Sequence, residues 1–286
     1  MKPSLLRAAG FSPAVGKPRT AGINPAARLA LVLLFLGGIV LALGSVQAQN
    51  GKAWSDVKGH IVWGDKNIPV QKPILAIKNN QDKGHCLAKG DILDELWVVN
   101  PKNKGLKWTF VWLAKKDKSA LPIHPDLKKI KEKQVIMDQP RCMFVPHALG
   151  MRQGQILLAK NSSAIPHNFK WTDGNGGGGN VLLAPFKGAF AIKNLEADEF
   201  PVTVNCNIHG WMKAWVRVFD HPYFAVTDEN GAFAIPKAPA GDYQLMIWHG
   251  SGGWSGGAAG RNGRPITIKG GAVTDLGNVE YKKPKN

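Results

Sequence analysis

The feature that most limits the fold of this chain is the alternation of short apolar runs with glycine and proline. Valine, isoleucine, phenylalanine and tryptophan are concentrated in short stretches such as 106–114 and 200–206. The 33 glycines and 19 prolines fall largely between such stretches. No convincing run follows the 3.6-residue period of an amphipathic helix. Short strands bounded by turn residues predict an all-β protein made of sandwiches or barrels.

The predicted strands are rich in β-branched and aromatic residues. They lie within 57–70, 92–100, 106–114, 134–171, 187–195, 200–206 and 211–220, and in hairpins over 221–249 and 264–281. Residues 101–133 hold ten lysines, which predicts a solvated basic connection with one helical turn near 126–133. A docking patch is the alternative. No nucleic-acid motif accompanies this charge, so we expect no nucleic-acid partner.

The first 48 residues have the pattern of an export signal. Five basic residues and no acidic residue precede an apolar run from Leu29 to Leu43, and Val46-Gln47-Ala48 has the small-x-small form of a cleavage site. The run is short for a membrane span. We therefore predict that 1–48 is a cleaved signal peptide and that the protein is periplasmic or extracellular. An uncleaved anchor, which would place it at a membrane, is the alternative. Removing the five basic residues lowers the formal charge from +17 to +12.

Three cysteines, Cys86, Cys142 and Cys206, follow the predicted signal. In an exported protein an odd number indicates one disulfide and one thiol with another role. The residues around each cysteine decide which thiol is left over.

The segment Cys206-Asn207-Ile208-His209-Gly210-Trp211-Met212 places a thiol, an imidazole and a thioether within seven residues. An apolar strand ends at Cys206 and another begins near Met212, so the segment is a turn that can direct all three groups to one point. Sulfur with imidazole is a donor set that suits copper, and two histidines, one cysteine and a weak axial methionine form the blue-copper arrangement. His167 is the best candidate for the second imidazole. A buried free cysteine beside a surface histidine is the alternative.

Together these segments resemble the cupredoxins, the type 1 copper proteins, and in particular the amicyanin and plastocyanin branch. The resemblance covers about residues 134–219 and rests on Pro166-His167-Asn168 and on the Cys-x2-His-x2-Met spacing. It implies a Greek-key sandwich with one type 1 copper site. The implied copper ligands are His167, Cys206, His209 and Met212.

The resemblance also implies roles for the neighbours of these ligands. Asn168 would steady the cysteine loop by hydrogen bonding. The exposed edge of His209 would be the usual route for electrons, and Trp211 would add an apolar contact surface or pack in the core. Amicyanin-like loops usually carry proline where this chain has Gly210, and glycine loosens a loop.

With Cys206 assigned to copper, Cys86 and Cys142 remain as a predicted disulfide. It would close a loop of 55 intervening residues, worth about 3–5 kcal/mol in the chain-entropy description. Two inert thiols are the alternative.

The C-terminal region is similar to a second family. Residues 227–233 and 239–243 resemble the hairpin and turn of the carboxypeptidase regulatory-like, transthyretin-like sandwich, and 57–71 resembles its first strands. The copper domain would then be inserted in such a sandwich or share strands with it. The predicted organisation is a β segment with the basic connection at 49–133, a cupredoxin domain at 134–220 and a transthyretin-like unit at 221–286.

These observations predict an exported copper protein that carries single electrons between redox partner proteins, and the excess of basic residues favours acidic partners. We do not expect the protein to be an enzyme. The sequence has none of the additional His-x-His or His-Cys-His motifs of multicopper oxidases, no Gly-x-Ser-x-Gly motif and no paired carboxylates near a histidine. The alternative function is a non-redox binding or structural module of the cell envelope.

Overall fold

The structure, a computed structural model, describes residues 53–174 and 176–284, so the predicted signal peptide lies outside the described residues. The all-β prediction is confirmed. The strands are β1 (Trp54–Trp63), β2 (Thr109–Ala114), β3 (Gln134–Arg141), β4 (Met143–Val145), β5 (Ala148–Arg152), β6 (Ile156–Lys160), β7 (His167–Thr172), β8 (Gly178–Leu183), β9 (Phe190–Ile192), β10 (Val202–Asn205), β11 (Lys213–Phe219), β12 (Phe224–Val226), β13 (Ala232–Pro239), β14 (Gly241–His249), β15 (Gly253–Trp254), β16 (Arg264–Ile268) and β17 (Thr274–Tyr281).

Helical structure in the described part is limited to single turns. The α-helical turns are α1 (Lys83–Cys86) and α2 (Pro125–Lys128), and the 3₁₀ turns are Leu75–Asn79 and Gly257–Asn262. None of the helices within 53–174 and 176–284 is long and apolar enough to cross a membrane.

The central part of the chain forms a sandwich of two sheets. One sheet has the strand order β5-β11-β10-β7-β8, and the other has the order β4-β3-β6-β9. Two pairs are parallel, β5 with β11 and β3 with β6, and the other pairs are antiparallel. Because neighbours in the sheet are often distant in sequence, the chain crosses repeatedly between the layers, as in a Greek-key sandwich. A core of aliphatic, aromatic and sulfur-containing side chains fills the space between them.

Strands from both ends of the described chain build a second sandwich. In one sheet β1 pairs with β13 antiparallel and with β17 parallel, and in the other β2 lies between β12 and β14. Residues 221–286 therefore do not form a sandwich by themselves, since their strands pair with β1 and β2. The central sandwich lies within the sequence of this second one.

The strand predicted at 92–100 is wrong. This segment makes only the isolated bridges of Leu93 with Pro73 and of Val99 with Leu106. Ile92 is buried in the core of the central sandwich, whereas Trp97 packs against the core of the other. A segment that crosses between two cores cannot keep a continuous ladder with one sheet, although its apolar residues suit a strand.

The two sandwiches share a third core, because β11 is buried on both faces. Its even-numbered residues, such as Val216, face the central core, while Phe219 packs with Trp112 and Trp254 on the other side. The Arg217 guanidinium lies 4.0 Å above the Trp112 ring and donates hydrogen bonds to two backbone carbonyls. Burial lowers the pKa of Arg217 to about 10, so it remains charged at neutral pH.

His249, at the end of β14, is a structural histidine. Its ring stacks on Trp97 at 4.6 Å, its Nε2 lies 3.2 Å from the Lys107 carbonyl, and its Nδ1 accepts from the Ser251 backbone. Burial, with a smaller contribution from nearby His147, lowers the pKa of His249 to about 3. The ring is therefore neutral in the folded protein over most of the acid range.

We predict that the copper-free protein loses stability as the pH falls from about 6.5 toward 3. In that window the unfolded chain protonates His249 and the folded chain does not, so protons favour unfolding. His249→Gln should flatten the dependence of the unfolding free energy on pH, measured by urea denaturation. The control His60→Gln removes an exposed imidazole and should leave the slope unchanged. Equal slopes in all three proteins would contradict the prediction.

Candidate metal centre

The segment 206–212 is a closed turn between two paired strands. β10 and β11 are antiparallel up to the pair Asn205 and Lys213. Beyond that pair the Cys206 N–H donates to the Met212 carbonyl at 3.3 Å, and the Met212 N–H donates to the His209 carbonyl at 2.9 Å. Cys206, His209 and Met212 are all buried. The backbone hydrogen bonds therefore fix the positions of the Cα atoms that carry these three side chains.

His167 reaches the same point from β7, the strand next to β10. Its Nδ1 lies 3.0 Å from Nδ1 of His209, and Nδ1 of His209 lies 3.9 Å from Sγ of Cys206. The three ligand atoms all lie within 4.8 Å of one another. The structure thus brings together His167, Cys206 and His209. Met212 is buried in the same core and is joined to the turn through its backbone.

The spacing of these atoms suits one metal ion. Imidazole nitrogens bind metals at about 2.0–2.1 Å and cysteine sulfur at about 2.3 Å, so two nitrogens on one ion lie within about 4.2 Å and a nitrogen and a sulfur within about 4.4 Å. The separations of 3.0 Å and 3.9 Å fall inside these limits. The donor set of two imidazoles and a sulfur, with a thioether on the same turn, is the set that suits copper.

Burial holds both imidazoles in the form that binds metals. Burial, with a smaller contribution from the neighbouring imidazoles of His209 and His85, lowers the pKa of His167 to about 4. Burial also lowers the pKa of His209, although the hydrogen bond to Asp82 acts in the opposite direction. An imidazolium ion would have to lose a proton before a metal could bind, whereas a neutral imidazole does not.

Asn168 contacts the cysteine through its backbone rather than its side chain. Its N–H donates to Sγ of Cys206 at 3.3 Å, while its side-chain amide donates to the Asn180 side chain on β8 at 3.2 Å. The side-chain amide therefore ties β7 to β8, and only the backbone acts on the cysteine.

The expectation that the edge of His209 is exposed is wrong, because His209 is 0% exposed. The segment 72–94, here named the cap, lies over it. The two ends of the cap are joined by backbone hydrogen bonds between Ile74 and Ile92 and between Asp94 and Lys72. The predicted Cys86–Cys142 disulfide is present and fastens the middle of the cap to the central sandwich.

Asp82 is the cap residue that touches the site, and the sequence did not single it out. Its Oδ2 lies 3.0 Å from Nε2 of His209, the nitrogen that faces away from His167. A carboxylate on the outer nitrogen of a ligand histidine fixes the tautomer that leaves Nδ1 free to bind. The only signal in the sequence was that Asp82 precedes the bonded Cys86 by four residues.

Glycine at position 210 is not required by the packing of the turn. Its φ lies outside the left-handed region, and a methyl group on its Cα would meet nothing within 4 Å. The turn is instead held by the hydrogen bonds of Cys206 and Met212 and by the cap. Glycine at position 210, where amicyanin-like loops usually carry proline, therefore does not disturb the packing of the turn.

We predict that Asp82→Ala destabilises the cap even without metal. The substitution leaves Nε2 of His209 buried with no partner, which costs about 1–2 kcal/mol. Amide hydrogen exchange should rise within 75–86, and the unfolding free energy should fall by about that amount. The control is Asp91→Ala, an exposed carboxylate of the same segment, which should change neither quantity. Matching exchange in both variants would rule out the role given to Asp82.

Comparisons with known proteins give only distant matches. No protein-family model and no curated protein sequence matches the chain. Amicyanin from Paracoccus versutus is 16% identical over 37% of this chain and 91% of its own, with a TM-score of 0.26. A reduced amicyanin mutant gives 17% identity over 37% of this chain and 91% of its own, with a TM-score of 0.27.

A purple cupredoxin from Nitrosopumilus maritimus is 21% identical over 31% of this chain and 100% of its own, with a TM-score of 0.26. No transthyretin-like protein is among the matches described here, so that resemblance rests on the sequence motifs alone. At these values of identity and TM-score, what supports a metal centre is the geometry of the donor atoms.

Proposed function

We propose that this chain is an exported type 1 copper protein that carries single electrons between redox partners and is not an enzyme. The observation that carries the proposal is the meeting of three buried donor atoms, Nδ1 of His167, Nδ1 of His209 and Sγ of Cys206, within 4.8 Å. They come from two adjacent strands and one closed turn. Such a cluster of buried nitrogen and sulfur donors inside an apolar core suits a soft metal ion.

Copper, when bound, would supply a one-electron change between Cu(I) and Cu(II). His167 and His209 would hold it with neutral imidazoles, Cys206 with a thiolate, and Met212 with a weak thioether ligand. The Asn168 N–H stabilises the charge on the thiolate, and Asp82 orients the ring of His209. Because strands and cap already fix these groups, they need to move little when the charge of the metal changes.

The proposed location and partners follow from charge and cysteine chemistry. The disulfide and the basic, acid-free N-terminus with its apolar run support a periplasmic or extracellular protein. The excess of basic residues favours acidic redox partner proteins. A non-redox envelope module remains the alternative function, and it would leave the protein without colour when copper is added.

The test of this proposal is copper loading of the purified protein, followed by visible absorption and electron paramagnetic resonance. We predict one bound copper per chain and an intense blue or purple band from the thiolate. Cys206→Ala should fold and lose the band, because the thiolate provides the transition. A wild-type protein that stays colourless, or a Cys206→Ala variant that keeps the band, would overturn the proposal.

The axial role of Met212 has its own test. Met212→Leu keeps a buried apolar side chain of similar volume but removes the thioether, so copper should remain bound with a higher reduction potential. We expect a rise of roughly 60 mV, a tenfold change in the ratio of the two oxidation states. Met137→Leu, in the same core, is the matched control and should leave the potential unchanged. Equal potentials in the two variants would remove Met212 from the ligand set.

A further inference from the structure

The usual exit for electrons at a histidine ligand is closed in this protein. Nε2 of His209 faces Asp82, and the whole residue is buried beneath the cap. The cap is held at its ends by backbone hydrogen bonds and in its middle by the Cys86–Cys142 disulfide. A redox partner therefore cannot contact His209 without opening a covalently fastened segment. Since electron tunnelling weakens steeply with distance, another short path has to connect the metal to the surface.

Trp211, whose ring lies beside that of His209, provides such a path. The two rings lie 5.0 Å apart between centroids. The indole Nε1–H donates to the Cys142 carbonyl at 3.1 Å, which fixes the orientation of the ring. Trp211 is only half-buried, whereas His209 is completely buried. The indole is thus a rigid aromatic group that touches the ligand at one end and reaches solvent at the other.

The solvent side of Trp211 opens into a groove of about 340 Å³ between the turn and the edge of the cap. Apolar side chains form much of its rim, and Leu93 and Leu96 are 42% and 61% exposed. Trp215, His147 and Glu95 also line the groove, and Nδ1 of the buried His147 lies 3.4 Å from Oε2 of the partly exposed Glu95. A redox group that enters this groove comes close to the indole ring while Asp82 and the cap stay in place.

We propose that Trp211 is the electron port of the site: electrons pass between the copper and an external redox partner through His209 and the Trp211 indole. The inference rests on the proposed copper function. In the outward direction Cu(I) is oxidised to Cu(II) and a one-electron acceptor in the groove is reduced by one electron. No bond forms or breaks and no proton moves. The indole is a bridge between donor and acceptor and keeps its own oxidation state.

The test measures how fast copper-loaded, reduced protein is oxidised by hexacyanoferrate(III) in stopped flow. Trp211→Leu should react about tenfold more slowly, equivalent to about 1.4 kcal/mol in the barrier. Trp211→Phe, which keeps an aromatic ring, should recover part of the rate. The matched control Trp215→Leu removes an indole of the same groove that lies away from His209, and it should react like the wild type. All these substitutions leave the charge of the protein unchanged.

The visible spectrum and the reduction potential separate the possible failures. If the wild type gives no type 1 spectrum, the copper function fails. If spectrum and potential are the same in wild type and Trp211→Leu and the rates are also equal, the port is overturned while the copper function stands. If Trp211→Leu loses copper, Trp211→Phe replaces it in the comparison, provided that its reduction potential matches that of the wild type. The proposal would be overturned if Trp211→Phe were oxidised as fast as the wild type while Trp215→Leu was oxidised more slowly. That result would assign the port to Trp215.

The copper-free protein offers an independent readout. A neutral gadolinium chelate broadens the nuclear magnetic resonance signals of groups that it can approach. We expect broadening of signals from the Trp211 ring and from the Leu96 methyl groups, with sharp signals from the His209 ring. Broadening of His209 with a sharp Trp211 would show that the cap side is the open one and would contradict the port.

Discussion

The pairing of β10 with β11 is the constraint on which the candidate site depends. Cys206 follows the end of β10 and Met212 precedes the start of β11, so the register of the pair sets the positions of both. β11 is in turn buried on both faces, with Val216 in the central core and Phe219 in the core shared with the second sandwich. The strand cannot slip by one residue without exchanging these two sets of side chains. The second sandwich therefore helps to hold the turn 206–212.

Burial of His167 and His209 keeps their imidazoles neutral, but it also has an unfavourable effect on the stability of the fold. His167 and His209 bring four ring nitrogens into an apolar core, where each polar atom without a partner is unfavourable. Asp82 satisfies the outer nitrogen of His209, while Nε2 of His167 is buried without a partner. The two Nδ1 atoms face each other at 3.0 Å. A bound metal would interact favourably with both Nδ1 atoms at once. Metal binding would therefore add to the free energy of unfolding.

The part of the site that follows from local sequence could be predicted, and the part made by distant contacts could not. The turn 206–212 and His167 carry their chemistry in short motifs, and pairing of adjacent strands brings them together. Asp82 reaches His209 across 127 residues, with no motif to mark it. The strand expected at 92–100 failed for a related reason, because its apolar residues are divided between two cores. Periodicity shows that a residue is buried but not in which core.

The cap changes what a partner of this site would have to recognise. With an exposed histidine edge, a partner would need only a flat apolar surface around one ring. Here the disulfide at Cys86 keeps the cap over His209, and the route to the surface turns through Trp211 into a groove with Leu93 and Leu96 on its rim. Only a redox group that projects into the groove comes close to the indole. In the proposed function, the same fastening that shields His209 from solvent would therefore also select partners by shape.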